Sequence, residues 1–320
     1  YIYYFQKKMT CRYSFKRLWN YLNIYFLKPF DAVNDTITSD LLLMLSWKNN
    51  YTEIGSGDGM FSYIMHGNNF PVWFDRYLNV NINKRNIFDK TNKIRFPSLK
   101  NKKFNIRPKL SIDARKHHVE YIKKIKFSKN AKCINYENIN LKSNSEKLIF
   151  FYTPHGLKNY NIAFTKASKI LNKKGKFLVL LFLDNVKNNF IFYNLKKNSK
   201  KNLKIFFSKM DNGRFNETKK ISNSFNLWEK IIKKNNLNIL NFYSGLSPMA
   251  WKIYDIQTRP ILKPLIIFFN FFPLILRTVL KLIWMISFFP MLCLVYIFCS
   301  NISNTDLSKN CYIVFELSKK

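Results

Sequence analysis

The stretch Tyr51-Thr-Glu-Ile-Gly-Ser-Gly-Asp-Gly59 limits what this chain can fold into more than any other. Residues suited to a buried strand run into three glycines at alternate positions, and Phe61, Ile64 and Met65 then carry helical spacing. Glycine turns sharply and lets the backbone come close to a ligand. A helix opening at about Gly59 turns its free N–H groups toward whatever occupies the turn. Glu53 ends the strand, where a carboxylate can meet a positive group. The dinucleotide fingerprint G-x-G-x-x-G is not matched, because Met60 stands where Gly or Ala is needed, and this counts against a nicotinamide enzyme.

Strand and helix patterns alternate after this motif. Residues 67–108 show no clear period and contain Pro71, Pro97 and Pro108, so they read as an irregular insertion. Lys109 to Asp113 reads as a strand ending in a carboxylate, followed by a helix with Val119, Ile122 and Ile125 on one face. Lys132 to Asn135 and Lys147 to Thr153 are further strands, the second a continuous apolar run that suits a sheet buried on both faces. A helix through Ile162, Ala163, Ala167 and Ile170, a turn at Gly175 and the strand Phe177 to Leu183 follow. Past Asp184 the Lys- and Asn-rich composition reads as a linker. It leads to an amphipathic helix at Leu227, Trp228, Ile231 and Ile232. Leu237 to Tyr243 and Cys311 to Leu317 are the last strands. Alternation of this kind indicates a parallel sheet with helices on both faces.

The N-terminal stretch 12–30 alternates basic and aromatic residues, and Asp35 or Thr36 is expected to cap a helix running to Leu45. Met9 is the expected translation start. The chain carries 54 Lys+Arg against 18 Asp+Glu, a net charge of +36. That charge suits an anionic partner, either nucleic acid or the negative face of a membrane. The basic residues are dispersed among abundant Asn, Ile, Phe and Tyr, as AT-rich coding DNA would produce. The 5 cysteines show neither CxxC nor metal spacing, which points to a reducing compartment and to no metal site.

Glu53-x-Gly55-x-Gly57-x-Gly59, at the head of the alternating series, resembles the first motif of the class I S-adenosylmethionine-dependent methyltransferases, with a core of the type 11 kind. The resemblance spans roughly residues 45–183 and the terminal strands. It implies an α/β, Rossmann-like, mostly parallel seven-stranded sheet with helices on both faces and a final antiparallel hairpin. Here that hairpin is interrupted by an apolar helical insert. It implies S-adenosylmethionine as cofactor, with Glu53, Gly55, Gly57 and Gly59 at the loop. Asp113 takes the place of the carboxylate that holds the ribose hydroxyls. Asp75 or Asn81 takes that role if Tyr77 to Ile82 is the second strand instead, and a helix N-cap is the plainer use of Asp113. Asn135 and Tyr136 fall where the family contacts adenine. Tyr152 is expected among the cofactor-binding residues, in the turn that faces the reacting methyl group. In that turn, Phe151-Tyr-Thr-Pro-His-Gly156, His155 is a candidate base for a hydroxyl acceptor, or only a brace for the turn. His117 and His118, on a Lys-rich helix, are expected to be solvated. The Asn/Asp-Pro-Pro-Tyr signature of many amino-group methyltransferases is absent.

The chain divides accordingly into an N-terminal aromatic-basic segment (1–44), the core (45–245), an apolar membrane-associating insert (246–309) and a final strand (310–320). Leu282 to Ser300 is uncharged and Pro264 to Leu276 nearly as apolar. A spanning helix needs about 20 apolar residues, and Pro290 interrupts the longer run. The expectation is an in-plane or re-entrant hairpin on the cytoplasmic face of a membrane, with Arg277 and Lys281 reaching lipid headgroups. The favoured activity is O-methylation of a lipid-linked or apolar small molecule. The alternatives are a nucleic-acid methyltransferase, disfavoured by the apolar insert and the missing signature, and a non-catalytic membrane scaffold on the same fold.

Overall fold

The computed structural model describes residues 14–48, 50–78, 80, 96–97, 104–152, 159–211, 213–257, 262–305, 307 and 309–320. Two helices come first, α1 (Phe15–Ile24) and α2 (Pro29–Leu43). The core then runs β1 (Tyr51–Ile54), α3 (Met60–Met65), β2 (Pro108–Asp113), α4 (Lys116–Ile125), β3 (Ala131–Cys133), β4 (Glu146–Phe151), α5 (Tyr160–Ile170) and β5 (Leu171–Leu183). Beyond it lie α6 (Ile191–Asn198), α7 (Lys201–Asp211), α8 (Arg214–Lys220), β6 (Ser222–Asn223), α9 (Phe225–Lys234) and β7 (Leu237–Gly245). The insert folds as α10 (Pro248–Gln257), α11 (Leu262–Phe271) and α12 (Leu274–Ser300), and β8 (Tyr312–Lys319) closes the chain.

The strands form one sheet in the order β3-β2-β1-β4-β5-β8-β7, with the two-residue β6 beside the end of β5. Every pairing is parallel except those of β8, which runs antiparallel to both β5 and β7. This is the mostly parallel sheet with a terminal antiparallel hairpin that the sequence implies. α10, α11 and α12 interrupt the hairpin between β7 and β8. Ile149, Phe150, Leu178, Leu180, Ile313 and Phe315 are all buried, as expected for strands covered on both faces.

Three sequence expectations change. The stretch after Asp184 is not a linker. Phe190, Tyr193 and Phe215 pack together there, the last two with rings stacked 3.5 Å apart, so aromatic anchors hidden among lysines hold α6 and α8. The second helix starts earlier than expected. Pro29 occupies its first turn, where its fixed φ and missing N–H suit a helix start. Asp35 and Thr36 therefore lie inside α2, and Thr36 bonds back to the Ala32 carbonyl at 2.6 Å. Gly175 sits within β5 rather than in a turn, where a Cβ would lie 2.7 Å from the Glu146 carbonyl oxygen.

The insert also differs from the expected arrangement. Arg277 and Lys281 do not face outward. Arg277 is buried in an ion pair with Asp75 and also donates to Asn270. Lys281 donates to the Phe74 carbonyl at 2.5 Å and lies 5.2 Å over the Phe26 ring. Trp284 Nε1 donates to the Phe26 carbonyl at 2.7 Å, and the Tyr296 hydroxyl donates to Asp40. These contacts fasten α12 along its length to α2, to the turn between α1 and α2, and to the loop at 74–77. At about 1.5 Å per residue it is roughly 40 Å long. Its two charged side chains point inward, with Met285, Leu292 and Tyr296 buried beside them, and its outward face is dominated by apolar residues.

Candidate functional site

β1 ends at Ile54, and Gly55, Gly57 and Gly59 follow with φ of 72°, 57° and 79°. This left-handed region is one that side chains disfavour. The loop is strapped to the neighbouring strand. Gly55 N and Ser56 N both donate to the Ile112 carbonyl, at 2.8 and 3.1 Å, and Gly59 N donates to the Ser56 carbonyl at 3.1 Å. The glycines serve different ends. A Cβ at Gly59 would press on Ile122 Cγ1 at 3.1 Å, so packing against α4 excludes one there. A Cβ at Gly57 would meet nothing within 4 Å. Open space in front of that backbone is what a closely approaching ligand requires.

Asp113 ends β2 beside this loop, as expected. Its Oδ2 accepts from Gly57 N at 2.9 Å. Its Oδ1 accepts from Arg115 N at 2.9 Å and from His118 Nδ1 at 3.1 Å. Burial pushes its pKa up, but the His118 ring and the two backbone donors outweigh burial and hold it below the usual carboxylate range. His118 is thus a partner of the site rather than a solvated residue. A carboxylate has about four acceptor positions, and three are in use. Asp113 has room for one further donor, and a diol held by both hydroxyls would need His118 to let go. The alternative at Asp75 fails. That carboxylate is spent on Arg277 and on Tyr77 N at 2.8 Å, and Asn81 lies outside the described residues.

Among the described residues, Glu53 meets no positive group. It is 1% exposed and accepts from the hydroxyls of Ser62 and, at 3.2 Å, Ser111. Burial raises its pKa to about 7 against the pull of those hydroxyls. It braces the floor beneath the loop, joining β1, β2 and α3. Asn135 is exposed and caps a short 3-10 turn (Tyr136–Asn138), its side-chain oxygen accepting from Glu137 N at 3.2 Å. Tyr136 follows with its hydroxyl tied to Glu137 Oε1 at 3.0 Å and its ring edge-on to Phe151. Tyr152, just past β4, stacks on Phe61 with ring centroids 3.8 Å apart. His155 lies outside the described residues. Among the described residues, no group of three His, Cys, Asp or Glu side chains is placed to hold a metal ion.

The structure adds residues that the sequence reading missed. Asp58, in the glycine loop, is ion-paired with Arg76 at 2.5 Å, and the Arg76 guanidinium lies 4.9 Å over the Tyr25 ring. On α2, Asp31, Asn34, Asp35 and Thr38 share one face and are all buried. The Tyr152 hydroxyl donates to Asp35 Oδ1 at 3.4 Å. The signal is legible as polar residues at i, i+3, i+4 and i+7, although Asp35 ahead of an apolar run reads first as a cap. A separate cleft of about 440 Å³, lined by Arg107, Lys123, Lys126 and Lys129, lies at the amino ends of β2 and β3, away from the loop.

No protein-family model matches the sequence, and no curated protein matches it. Among solved structures, the chain is similar to a SAM-dependent methyltransferase from Thermotoga maritima at 11% identity, with 95% of this chain and 100% of that one covered and a TM-score of 0.48. It is similar to geranyl diphosphate methyltransferase solved with GPP and sinefungin at 10% identity, covering 88% and 78% with a TM-score of 0.45. It is also similar to phosphoethanolamine N-methyltransferase 2 of Haemonchus contortus, solved with phosphomonomethylethanolamine and S-adenosylhomocysteine. That match has 13% identity, covers 86% of this chain and 50% of the other, and has a TM-score of 0.42.

Proposed function

We propose that this chain is an S-adenosylmethionine-dependent methyltransferase that works on a membrane surface and methylates a hydroxyl of a lipid-linked or apolar acceptor. The observation that carries the reading is the junction of the glycine loop with Asp113. An N–H···carboxylate bond of 2.9 Å closes it, and open space lies in front of Gly57. Ligands of parallel α/β sheets bind outside the carboxyl ends of the strands, and this junction lies at the carboxyl ends of β1 and β2.

The residues present fit such a cofactor. Asp113 is ionised and keeps one free acceptor position for a ribose hydroxyl. Gly55, Gly57 and Gly59 keep the loop backbone bare, and Glu53 holds that loop from below. Asn135 and Tyr136 stand at the next strand end, where an exposed amide and a half-buried ring suit a purine. Tyr152 stands at the end of β4, on the side of the acceptor. The cofactor supplies a methyl group already activated on a sulfonium. The chain's own work is to align the acceptor with it and to take the acceptor's proton. For that proton the sequence offers His155.

Membrane association is supported by the outer face of α11 and α12. Phe271, Ile275 and Phe298 are 86, 83 and 78% exposed there, with Phe268, Ile283, Ile286 and Leu294 also exposed. The exposed hydroxyls on α12, Thr278 and Ser287, bond back to Leu274 and Ile283 carbonyls at 2.7 and 2.9 Å. Such a surface needs nothing from water, which suits hydrocarbon and not a protein partner with a polar rim. Because the inner face of α12 is fastened to the domain, the fitting geometry is flat on one leaflet.

Calorimetry tests the cofactor. S-adenosylmethionine should bind the wild type, and Gly57→Val, which fills the open space and strains a φ of 57°, should abolish binding while the fold persists. Unchanged binding in Gly57→Val would sink the assignment. Incubation with methyl-labelled S-adenosylmethionine and a total lipid extract should place label in lipid. Label in RNA or DNA instead would favour a nucleic-acid methyltransferase.

A further inference from the structure

α2 buries polar residues of two kinds beside Ala32, Val33, Ile37 and Leu41. Thr36, Ser39 and Asp40 are bonded within the fold, to the Ala32 carbonyl, the Tyr21 hydroxyl and Arg17. The stripe of Asp31, Asn34, Asp35 and Thr38 instead faces the end of β4. Buried Asp and Asn are rare unless paired, and this stripe is only partly paired. Asn34 Oδ1 and Thr38 Oγ1 are buried and have no hydrogen-bond partner among the described residues. Asn34 Nδ2 reaches Asp35 Oδ1 at 3.4 Å, and the Tyr312 hydroxyl lies against the same amide. The two acidic residues differ. Asp31 is ion-paired with Lys28. Asp35 meets neutral donors, namely the Tyr152 and Tyr25 hydroxyls and the Asn34 amide, while the nearby Arg76 is bonded to Asp58 of the glycine loop. A continuous path therefore runs Asp58, Arg76, Tyr25, Asp35, Tyr152, from the cofactor loop across to the end of β4.

We propose that this stripe is the acceptor-side wall of the reaction site, and that Asp35, in place of His155, is the catalytic carboxylate that takes the proton of a hydroxyl acceptor. The inference rests on the methyltransferase reading. The acceptor oxygen forms a bond to the methyl carbon, the carbon–sulfur bond breaks with its electron pair left on sulfur, and the hydroxyl proton passes to Asp35. Burial, with Asp31 nearby, brings the Asp35 pKa to about 7, which suits a proton acceptor near neutrality. Tyr25, Tyr152, Tyr254 and Tyr312 also feel this carboxylate, but burial holds their pKa values well above neutrality.

A binding experiment needs no knowledge of the acceptor. S-adenosylmethionine carries a positive sulfonium and S-adenosylhomocysteine does not, so an ionised Asp35 favours the first alone. In the wild type, the affinity of S-adenosylmethionine relative to S-adenosylhomocysteine should rise between pH 6 and pH 8. A factor of about ten corresponds to one unit of coupled pKa displacement. Asp35→Asn should leave the ratio flat. Asn34→Ala, which removes a donor to the carboxylate without touching it, should move the rise to higher pH. Glu53 titrates in the same range, so Glu53→Gln is measured alongside and should keep the rise. A ratio that still rises in Asp35→Asn, or a rise abolished by His155→Ala or Glu53→Gln instead, overturns the assignment. Failure of the wild type to bind either compound at any pH would instead overturn the methyltransferase reading itself.

Discussion

The loop around Gly57 and the inner face of α12 both bury charge, and they neutralise it by different means. At the loop one carboxylate, Asp113, is held by backbone N–H groups and one imidazole, and an acceptor position stays free. On α12, Arg277 and Lys281 are consumed by Asp75, Asn270 and the Phe74 carbonyl, and the outward face carries almost no polarity. A carboxylate with an acceptor position to spare can serve a ligand, whereas cations buried against an opposite charge and a carbonyl inside the domain serve attachment. The basic residues of α12 are therefore better understood as clamps on the domain than as contacts to lipid, and the apolar outer face as the lipid surface.

The largest effect expected from that distinction is on stability. Both members of the Arg277–Asp75 pair are almost fully buried. Removing one partner of such a pair leaves an uncompensated charge, at a cost of about 3–5 kcal/mol. Arg277→Ala should lower the unfolding free energy in mild detergent by that amount, read from urea titration, while Ile283→Ala on the outer face should change it by less than about 0.5 kcal/mol. Equal effects at the two positions would mean that α12 is not clamped through its charged face.

The reverse asymmetry is expected in membrane binding. Phe271 is 86% exposed, and burying such a side chain in hydrocarbon is worth about 1.5–3 kcal/mol. Phe271→Asp should weaken flotation with anionic phospholipid vesicles by roughly tenfold or more, with no change in the urea midpoint. Flotation that survives both Phe271→Asp and Ile275→Asp would remove the lipid assignment from this face.

How far these regions could be read in the sequence follows from the same contrast. Glycine spacing and a carboxylate at a strand end are local signals, so the loop, Asp113 and the alternation of strands and helices are legible. The clamp is not, because Arg277 and Asp75 lie 202 positions apart and nothing local tells a buried arginine from one at a headgroup. Asp35 was misassigned for a related reason. An Asp ahead of an apolar run is usually a cap, and only the start of α2 at Pro29 shows that it lies mid-helix. Likewise α6 and α8 were hidden because lysines dominate the composition, although three aromatic residues hold those helices in place.

A smaller effect tests whether the loop's charge serves a ligand. A charge-assisted hydrogen bond contributes about 1.5–3 kcal/mol. With one acceptor position free, Asp113→Ala should weaken S-adenosylmethionine binding by about tenfold, measured by calorimetry. His118→Ala should weaken it less, or even strengthen it, because it frees a second acceptor position. If Asp113→Ala leaves affinity intact, the carboxylate only pins the loop.

The smallest effect separates Asp113 from Glu53, two carboxylates on neighbouring strand ends. Asp113 has N–H donors that favour its charged form. Glu53 has only serine hydroxyls, and burial dominates, so its pKa rises from the ordinary 4.5 to about 7. In that interval the unfolded chain gives up the Glu53 proton while the native chain keeps it. The stability it contributes is complete below about pH 4.5 and is lost as pH rises through about 7. Glutamine has no proton to lose. Between pH 5 and pH 8 the urea midpoint of the wild type should therefore fall relative to that of Glu53→Gln, by a free-energy difference on the order of 1 kcal/mol. Parallel midpoints across this range would mean that Glu53 is ionised in the native protein. It would then be available to a cationic partner after all, and the division between a ligand-facing Asp113 and a bracing Glu53 would not hold.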